Sequence, residues 1–564
     1  MSLSGSLQIG RTGLNVAQAA MQVAGKNMTN AATEGYHRRD IHLAPLQGRL
    51  VGDNQWVGRG VDLVAVRREI DAALESRLRQ AVADEQASVI DQRYLTAIET
   101  IQNELTENDL SSLLSEFFNA FSELANNPED NTFRTLTVEQ GRSVATRITQ
   151  MRGDYGRIRQ ELDDALGNTL AQANTLLDRV AELNARIGEI EGVNEEAASL
   201  RDQRDAALDE LATLIDITTA EQNSGAVDVF VNSVPVVLND TNRGLRVDIV
   251  NDGTTTRTEF RIDEDGTFLT ADGGRIGGLL RQREETVQPA IDALDTLAEQ
   301  LIFQVNRVHS QGQGRTPLAE VTSSNVVQDT TAALNSTDAD LPFDMVNGSF
   351  HLHVTNTTTG ERSTWQIDVD PGTMSLDDLV NEINVALAVP NATAATTPAN
   401  RLQIAADGGH AVSFSEDSSG VLAALGINTF FSGSNAADID VDAAVIADPG
   451  RVAARLDHVP GSNDNAIALA NLQDTTFTEL GDRNLREYWR HTVSEHALRT
   501  DGAARATEAA TVVRESLAAE VQSVSGVSLD EESINLIQFQ RQYQAAARYI
   551  TVIDEMMQTL LSIA

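Results

Sequence analysis

The stretch Leu529-Asp-Glu-Glu-Ser-Ile-Asn-Leu-Ile-Gln-Phe-Gln-Arg-Gln-Tyr-Gln-Ala-Ala-Ala-Arg-Tyr-Ile-Thr-Val-Ile-Asp-Glu-Met-Met-Gln-Thr-Leu-Leu-Ser-Ile-Ala564 decides how the rest of the chain is read. Every seventh residue from Leu529 is apolar: Leu536, Tyr543, Ile550, Met557 and Ala564 follow it. The interleaved series is Glu532, Phe539, Ala546, Ile553 and Leu560, and only Glu532 breaks the stripe. Two apolar positions in seven, sustained over several heptads, are the pattern of a coiled coil. Ser528 and Glu531 form a capping box, and Asp530, Glu531 and Glu532 suit the positive helix end. Such a stripe requires a partner helix, and the other terminus offers one. There Leu7, Leu14, Met21 and Met28 fall seven apart, with Leu3, Gly10, Ala17, Ala24 and Ala31 between them. One stripe is large and the other small, so one face permits close approach. Gly5, Gly10, Gly13 and Gly25 each cost about 1 kcal/mol against Ala in a helix interior. This helix is therefore expected to depend on packing, most simply against the C-terminal one. An ordinary two-helix hairpin in a globular core is the blander reading, but its apolar face would be wider than two in seven.

At 564 residues the chain is long enough for several domains. Its net charge of −41 argues against nucleic acid and anionic membrane surfaces as partners. Cysteine is absent, which removes disulfides, thiolate metal sites and cysteine nucleophiles. No run of 18 apolar residues suggests a membrane span, and no basic patch followed by an apolar segment suggests a cleaved signal peptide.

The expected fold class is α+β multidomain: a terminal α-helical coiled coil, a long-helix bundle and two inserted β-rich outer domains. Residues 1–66 hold the first helix and an extended linker. The helical domain comes in three parts, 67–217, 282–312 and 456–526, and 527–564 is the C-terminal helix. Its first part is read as helices over about 68–105, 110–127, 132–192 and 194–217, with Gly141, Gly153 and Gly167 as candidate bends. The first β insertion, 218–281, has short strands ending with Thr267–Thr270. The second, 313–455, opens with a linker over 312–345. It continues with strands Ser349–Asn356 and Ser363–Val369, a helix capped by Ser375 and Asp378, and strands near Leu402 and Val412. One helix is expected from Ala466 to about Val524.

Asn27-Met-Thr-Asn30-Ala-Ala-Thr33-Glu-Gly35-Tyr36, followed by His37-Arg-Arg39, resembles the N-terminal motif of bacterial flagellar rod, hook and hook-associated proteins. The matching positions are Asn27, Asn30, Thr33, Gly35 and Tyr36; Glu34 departs from the usual Pro or Ala. Similarity continues through Gly58–Arg67, Asn127–Asp130 with Arg134, Leu200-Arg-Asp-Gln-Arg-Asp205, and Ser525–Glu532 with Asn535–Gln540. The Arg-Asp-Gln-Arg-Asp and Leu-Ile-x-Phe-Gln stretches are similar to the members that join hook to filament. The resemblance implies a non-enzymatic, extracellular structural subunit, exported without a cleaved signal. Its implied partners are copies of itself in a ring or helical layer, the flagellar hook protein, hook-associated protein 3 and an export chaperone, with no cofactor. The implied assembly interface is Leu7, Leu14, Met21, Met28, Leu536, Phe539, Tyr543, Ile550, Ile553, Met557 and Leu560. The alternatives are another axial protein (hook or distal rod) or a secreted coiled-coil adhesin.

Other candidates are weaker. Arg201 and Asp205 are read as an exposed i,i+4 pair within an Arg/Asp cluster. His351 and His353 share a strand face, but surface histidines are favoured over a metal site. Asp263–Gly266 and Asp438–Asp442 lack the spacing of a calcium loop and are read as acidic turns. Gly273–Gly278 lacks the features of a phosphate loop, and no catalytic set is present.

Overall fold

The computed structural model describes residues 3–33, 35–51, 55–103, 109–191, 197–251, 256–387 and 391–563. Glu34, Leu105, Gly192, Asn194 and Ala564, which the sequence reading used, lie outside them. In chain order, α1 spans Leu3–Asn30 and is followed by β1 (Arg39–Pro45), β2 (Arg49–Val51), β3 (Gln55–Val57) and β4 (Val61–Arg68). Then come α2 (Ala72–Gln102), α3 (Leu110–Asn126), α4 (Asn131–Glu191) and α5 (Ala198–Leu214). Strands β5 (Thr218–Glu221), β6 (Val227–Val231), β7 (Val234–Leu238), β8 (Thr241–Asn242), β9 (Leu245–Asn251) and β10 (Thr256–Ile262) precede α6 (Gly274–Gln282) and α7 (Gln288–His309). A π turn, Arg283–Val287, joins those two helices.

Strand β11 (Glu320–Thr322), the hairpin β12 (Gly348–Asn356) and β13 (Arg362–Val369), and α8 (Leu376–Leu387) follow. After them come β14 (Ala392–Thr396), β15 (Leu402–Ala406), β16 (His410–Ser415), α9 (Val421–Leu425), β17 (Phe431–Ser432), β18 (Asp440–Val441) and α10 (Ala443–Ala447). The chain ends with α11 (Asp464–Asn471), α12 (Leu485–Ser525) and α13 (Leu529–Ile563).

Two compact units result. Residues 1–93, 162–284 and 502–564 make up the first, and 94–161 with 285–501 the second. In the first, β1 and β4 pair antiparallel from Arg39↔Arg68 to Pro45↔Val61. The sheet β5-β6-β7-β8 and the hairpin β9–β10 are fixed to α4 by two asparagines. The Asn184 side chain donates to Val227 O (2.8 Å) and accepts from Val227 N (3.0 Å). Asn174 does the same with Leu245, both at 2.8 Å. Near α2, Gly278 lets α6 approach so closely that a Cβ there would lie 2.9 Å from Ile90 Cβ. Leu74 and Ala81 of α2 bury against Leu517 of α12.

In the second unit, Phe117, Phe118 and Phe121 of α3 cluster with Phe430 and Phe431. Asn306 holds Phe431 by both its backbone N–H (2.9 Å) and C=O (2.8 Å). Sheets β11-β15-β14 and β13-β12-β16 carry the β-rich region. Ser375 and Asp378 form the expected capping box at α8, each side chain accepting the other's backbone N–H at 3.1 Å.

Several expectations fail for identifiable reasons. Helix α4 runs unbroken through Gly141, Gly153 and Gly167. Gly141 is there for space, since a Cβ would sit 2.6 Å from Phe430 Cε1. Thr267–Thr270 makes one isolated bridge, Arg261↔Phe268, rather than a strand. Helix resumes at Gly274 rather than at 282. The segment read as a linker buries Val327, Leu334, Ala339 and Phe343 and lends β11 to a sheet. Between α11 and α12 the chain breaks at Gly481, whose φ is +65°. The strand β14 was not anticipated, because Ala392–Thr396 has no bulky alternation to announce it.

Candidate assembly site

Helices α1 and α13 pack on each other along the small stripe of α1. Gly10, Val16, Ala17, Ala20, Ala24 and Asn27 are buried. A Cβ on Gly10 would meet Ile550 Cγ1 at 2.7 Å, and one on Gly13 would meet Ala546 Cβ at 3.8 Å. Leu7, Leu14, Met21 and Met28 are only half-buried. On α13, Leu536, Phe539, Tyr543, Ala546, Ile550 and Met557 are half-buried, Ile553 is buried, and Leu529 and Leu560 are exposed. A second apolar face of α13, formed by Ile534, Ile537, Val552 and Met556, stands in solvent. Their mutual spacing places them on one side of the helix, away from the seam.

The residue that broke the stripe is explained by an ion pair. Glu532 is 2% exposed, and its Oε1 accepts from Arg38 Nε at 2.9 Å. The Arg38 backbone N–H also donates to Ser525 O at 3.0 Å. Buried charge at this position is therefore spent on joining the start of α13 to the turn after α1.

That turn is built by the motif residues. Asn27 lies in the last turns of α1, and its side chain donates to Arg39 O (2.9 Å) and accepts from Arg39 N (3.1 Å). Its Oδ1 also accepts from the Tyr36 hydroxyl at 2.9 Å. Asn30 donates to Lys26 O (2.9 Å), and Thr33 donates to Asn30 Oδ1 (3.4 Å). Gly35 has φ +73°, a conformation that L side chains rarely adopt. The Arg39 guanidinium stands 5.3 Å from the Tyr36 ring centroid.

The turn delivers His37 and Arg39 to a buried set of charges that the sequence reading missed. Asp202 of α5 accepts from His37 Nδ1 (3.1 Å), Arg39 Nη2 (3.0 Å) and Arg68 Nη1 (3.1 Å). Arg68 also pairs with Asp205, Arg79 with Asp209, and His37 Nε2 lies 3.5 Å from Glu75 Oε1. Burial opposes the charge on His37, but hydrogen bonds to Asp202 and Glu75 outweigh it and push its pKa up to about 9. Burial likewise opposes ionisation of Asp202, and hydrogen bonds from His37 and Arg68 hold its carboxyl below the ordinary range.

The exposed Arg201–Asp205 pair is thus corrected. Arg201 bonds Glu191 and Glu221 instead. Asp205 is buried beside Arg68. Arg204 is buried against the Asn184 side chain and Gly225 O, where burial pushes its pKa down to about 10. The i,i+4 geometry was available, but longer-range partners won because all three side chains face packed elements.

His353 is also not a surface residue. It is buried, with Nδ1 2.7 Å from Thr364 Oγ1 and Nε2 2.8 Å from Ser415 Oγ. Asp265 and Asp438 accept backbone N–H bonds within their turns. Among the described residues no group of three or more His, Cys, Asp or Glu is placed to hold a metal ion, and no helix is long and apolar enough to cross a membrane.

Against this geometry, the chain matches the family "Flagellar hook-associated protein FlgK helical domain" over residues 95–317 and "Flagellar basal body rod FlgEFG protein C-terminal" over 520–563. Flagellar hook-associated protein 1 of Escherichia coli strain K12 is 26% identical over 575 residues, covering 98% of both chains. The protein of the same name from Bacillus subtilis strain 168 is 24% identical over 567 residues, covering 99% of this chain and 97% of that one. The flagellar hook junction protein FlgK from Burkholderia pseudomallei shares the fold with a TM-score of 0.50 and 16% identity, over 80% of this chain and 100% of that one. The chain is thus similar along nearly its whole length to flagellar hook-associated protein 1 and carries the helical domain of those structural proteins of the bacterial flagellum, which stands outside the cell.

Proposed function

We propose that this chain joins hook to filament, and that it assembles with copies of itself through α1 and α13 acting as a coiled coil. The observation that carries this reading is the unfinished burial of the terminal pair. Among its described residues, α13 fully buries only Glu532 and Ile553, and α1 buries mainly Gly and Ala. A helix of this length with so little buried large apolar surface is marginal on its own. The exposed face Ile534, Ile537, Val552 and Met556 is the surface that neighbouring copies cover. Leu7, Leu14, Met21 and Met28 complete their burial in the same step. Ordering of the terminal pair is thereby coupled to assembly. The hook protein on one side, hook-associated protein 3 on the other, and an export chaperone before assembly are the partners in this reading.

The double variant Val552→Glu/Met556→Glu tests it in a strain lacking the native gene. The purified variant keeps the circular dichroism of the parent, because neither side chain is in the seam. In cells it leaves bare hooks and sheds flagellin into the medium. Normal filaments on that variant would refute the proposal.

A further inference from the structure

The second unit contains a cavity remote from the terminal helices in sequence. The loop 312–318, strands β12 and β16 and the segment at Arg455–His458, where His458 is exposed, line an open pocket of about 200 Å3. A water molecule takes about 30 Å3 of liquid, so the space suits a group of a few heavy atoms. Its polar lining includes Gln313, Thr316, Asn356, Ser413, Arg455 and His458. No lining residue carries a carboxylate, in a chain with 83 acidic and 42 basic residues.

The arginines there are short of acceptors. Arg455 is fixed by its backbone pairing with Gln313 and by a 2.9 Å bond from Nη2 to Gly314 O. Its Nε is buried without an acceptor, and among the described residues it makes no ion pair within 4.0 Å. Tethering the 312–314 loop uses one of the five guanidinium N–H donors. Behind His458, Arg362 Nη1 lies 3.5 Å from its Nδ1, and Arg362 Nε is likewise buried without an acceptor. Burial lowers the Arg362 pKa and nearby Asp457 only partly offsets it. Two arginine side chains, each with a buried Nε that lacks an acceptor, stand beside a pocket whose lining holds no carboxylate.

We propose that this cavity binds a small free oxyanion, of the carboxylate, phosphate or sulfate class, held by Arg455 and His458 with Arg362 adjacent. Bidentate guanidinium recognition suits that class, and the surrounding hydroxyl and amide groups satisfy the remaining oxygens.

The test is calorimetric titration of the full chain with sodium phosphate, sodium sulfate and sodium acetate, each against sodium chloride at matched ionic strength. At least one oxyanion binds saturably at a single site and shifts the His458 imidazole resonance. Arg362→Gln leaves the Gly314 tether intact and weakens binding at least 10-fold, as does Arg455→Gln. Arg246→Gln, in the first unit, leaves binding unchanged. Absence of saturable binding over chloride overturns the proposal, and so does equal affinity in Arg362→Gln, which would mean an adventitious ion only.

Discussion

Replacing Asp202 by Asn removes one charge from the buried junction and changes almost no volume. Asp202 is the shared acceptor for His37, Arg39 and Arg68 at 3.0–3.1 Å. The magnitude follows from His37. Its pKa stands at about 9 against an ordinary 6.5, and at about 1.4 kcal/mol per pH unit the ion pairing contributes on the order of 3 kcal/mol at neutral pH. Breaking a buried pair by removing one partner costs a similar 3–5 kcal/mol or so. The sign is that of a raised base: the contribution is full below pH 6.5 and is lost as pH rises through 9. In Asp202→Asn, burial and the Arg68 charge act on His37 with only Glu75 and, more weakly, Asp205 to oppose them, so its pKa falls from about 9 toward the ordinary 6.5. Proton NMR of the His37 ring, assigned with His37→Gln, reads this directly. Hydrogen exchange reads the stability: amides of β1 and α5 that open with the junction exchange about 100-fold faster. A variant whose His37 still titrates near 9, with protection unchanged, would refute the reasoning.

Gly10→Val places a Cβ 2.7 Å from Ile550 Cγ1 and 3.1 Å from Tyr549 Cδ1. Overpacking costs about 1–3 kcal/mol, more than the helix-propensity gain returns, and a lower melting temperature of the terminal helices checks it. Gly25→Ala, with nothing within 4 Å, should instead stabilise α1 by up to about 1 kcal/mol. The second unit should weaken in acid. Burial holds His309 and His496 down to about 4 and His353 to about 3, so each folds neutral. Stability is then lost as pH falls below 6.5, by roughly 2–3 kcal/mol per histidine once pH 4 is reached. Fluorescence of Trp489, buried in this unit, follows the loss, and His309→Gln should flatten the acid limb. Asn184→Asp cannot donate to Val227 O or Asn239 O and sets a carboxylate oxygen against each; about 2 kcal/mol of lost stability by urea titration checks it.

What the sequence made legible was periodic. The α13 stripe, the β12–β13 hairpin and the Ser375 cap follow from spacing, because each depends on neighbours within a few residues, and the α1 partner follows from a second stripe of the same period. The misses have a common origin in partners distant along the chain. Gly141 looked like a bend until Phe430 filled the space beside it. The segment 312–345 looked like a linker because its polar composition hides Val327 and Leu334, which are buried and whose backbone N–H groups bond the distant Asn400 O and Met374 O.

The same division runs through the candidate site. Six asparagines, Asn27, Asn174, Asn184, Asn306, Asn335 and Asn384, each bind both the N–H and the C=O of one distant backbone residue. A side-chain amide offers the same donor and acceptor as a peptide group, so it can extend backbone pairing where no strand reaches. Nothing in local pattern distinguishes these asparagines from turn residues. Asn27 alone could be singled out, through the motif, and the motif did not show what it holds: Arg39, which carries the turn to Asp202. The heptads therefore specify which helices pair, whereas Asn27, Arg38 and Asp202 specify where that pair is attached. A charged substitution in the seam and a neutral one at Asp202 should separate these roles, the first abolishing assembly in a folded chain and the second loosening the attachment while the heptads remain intact.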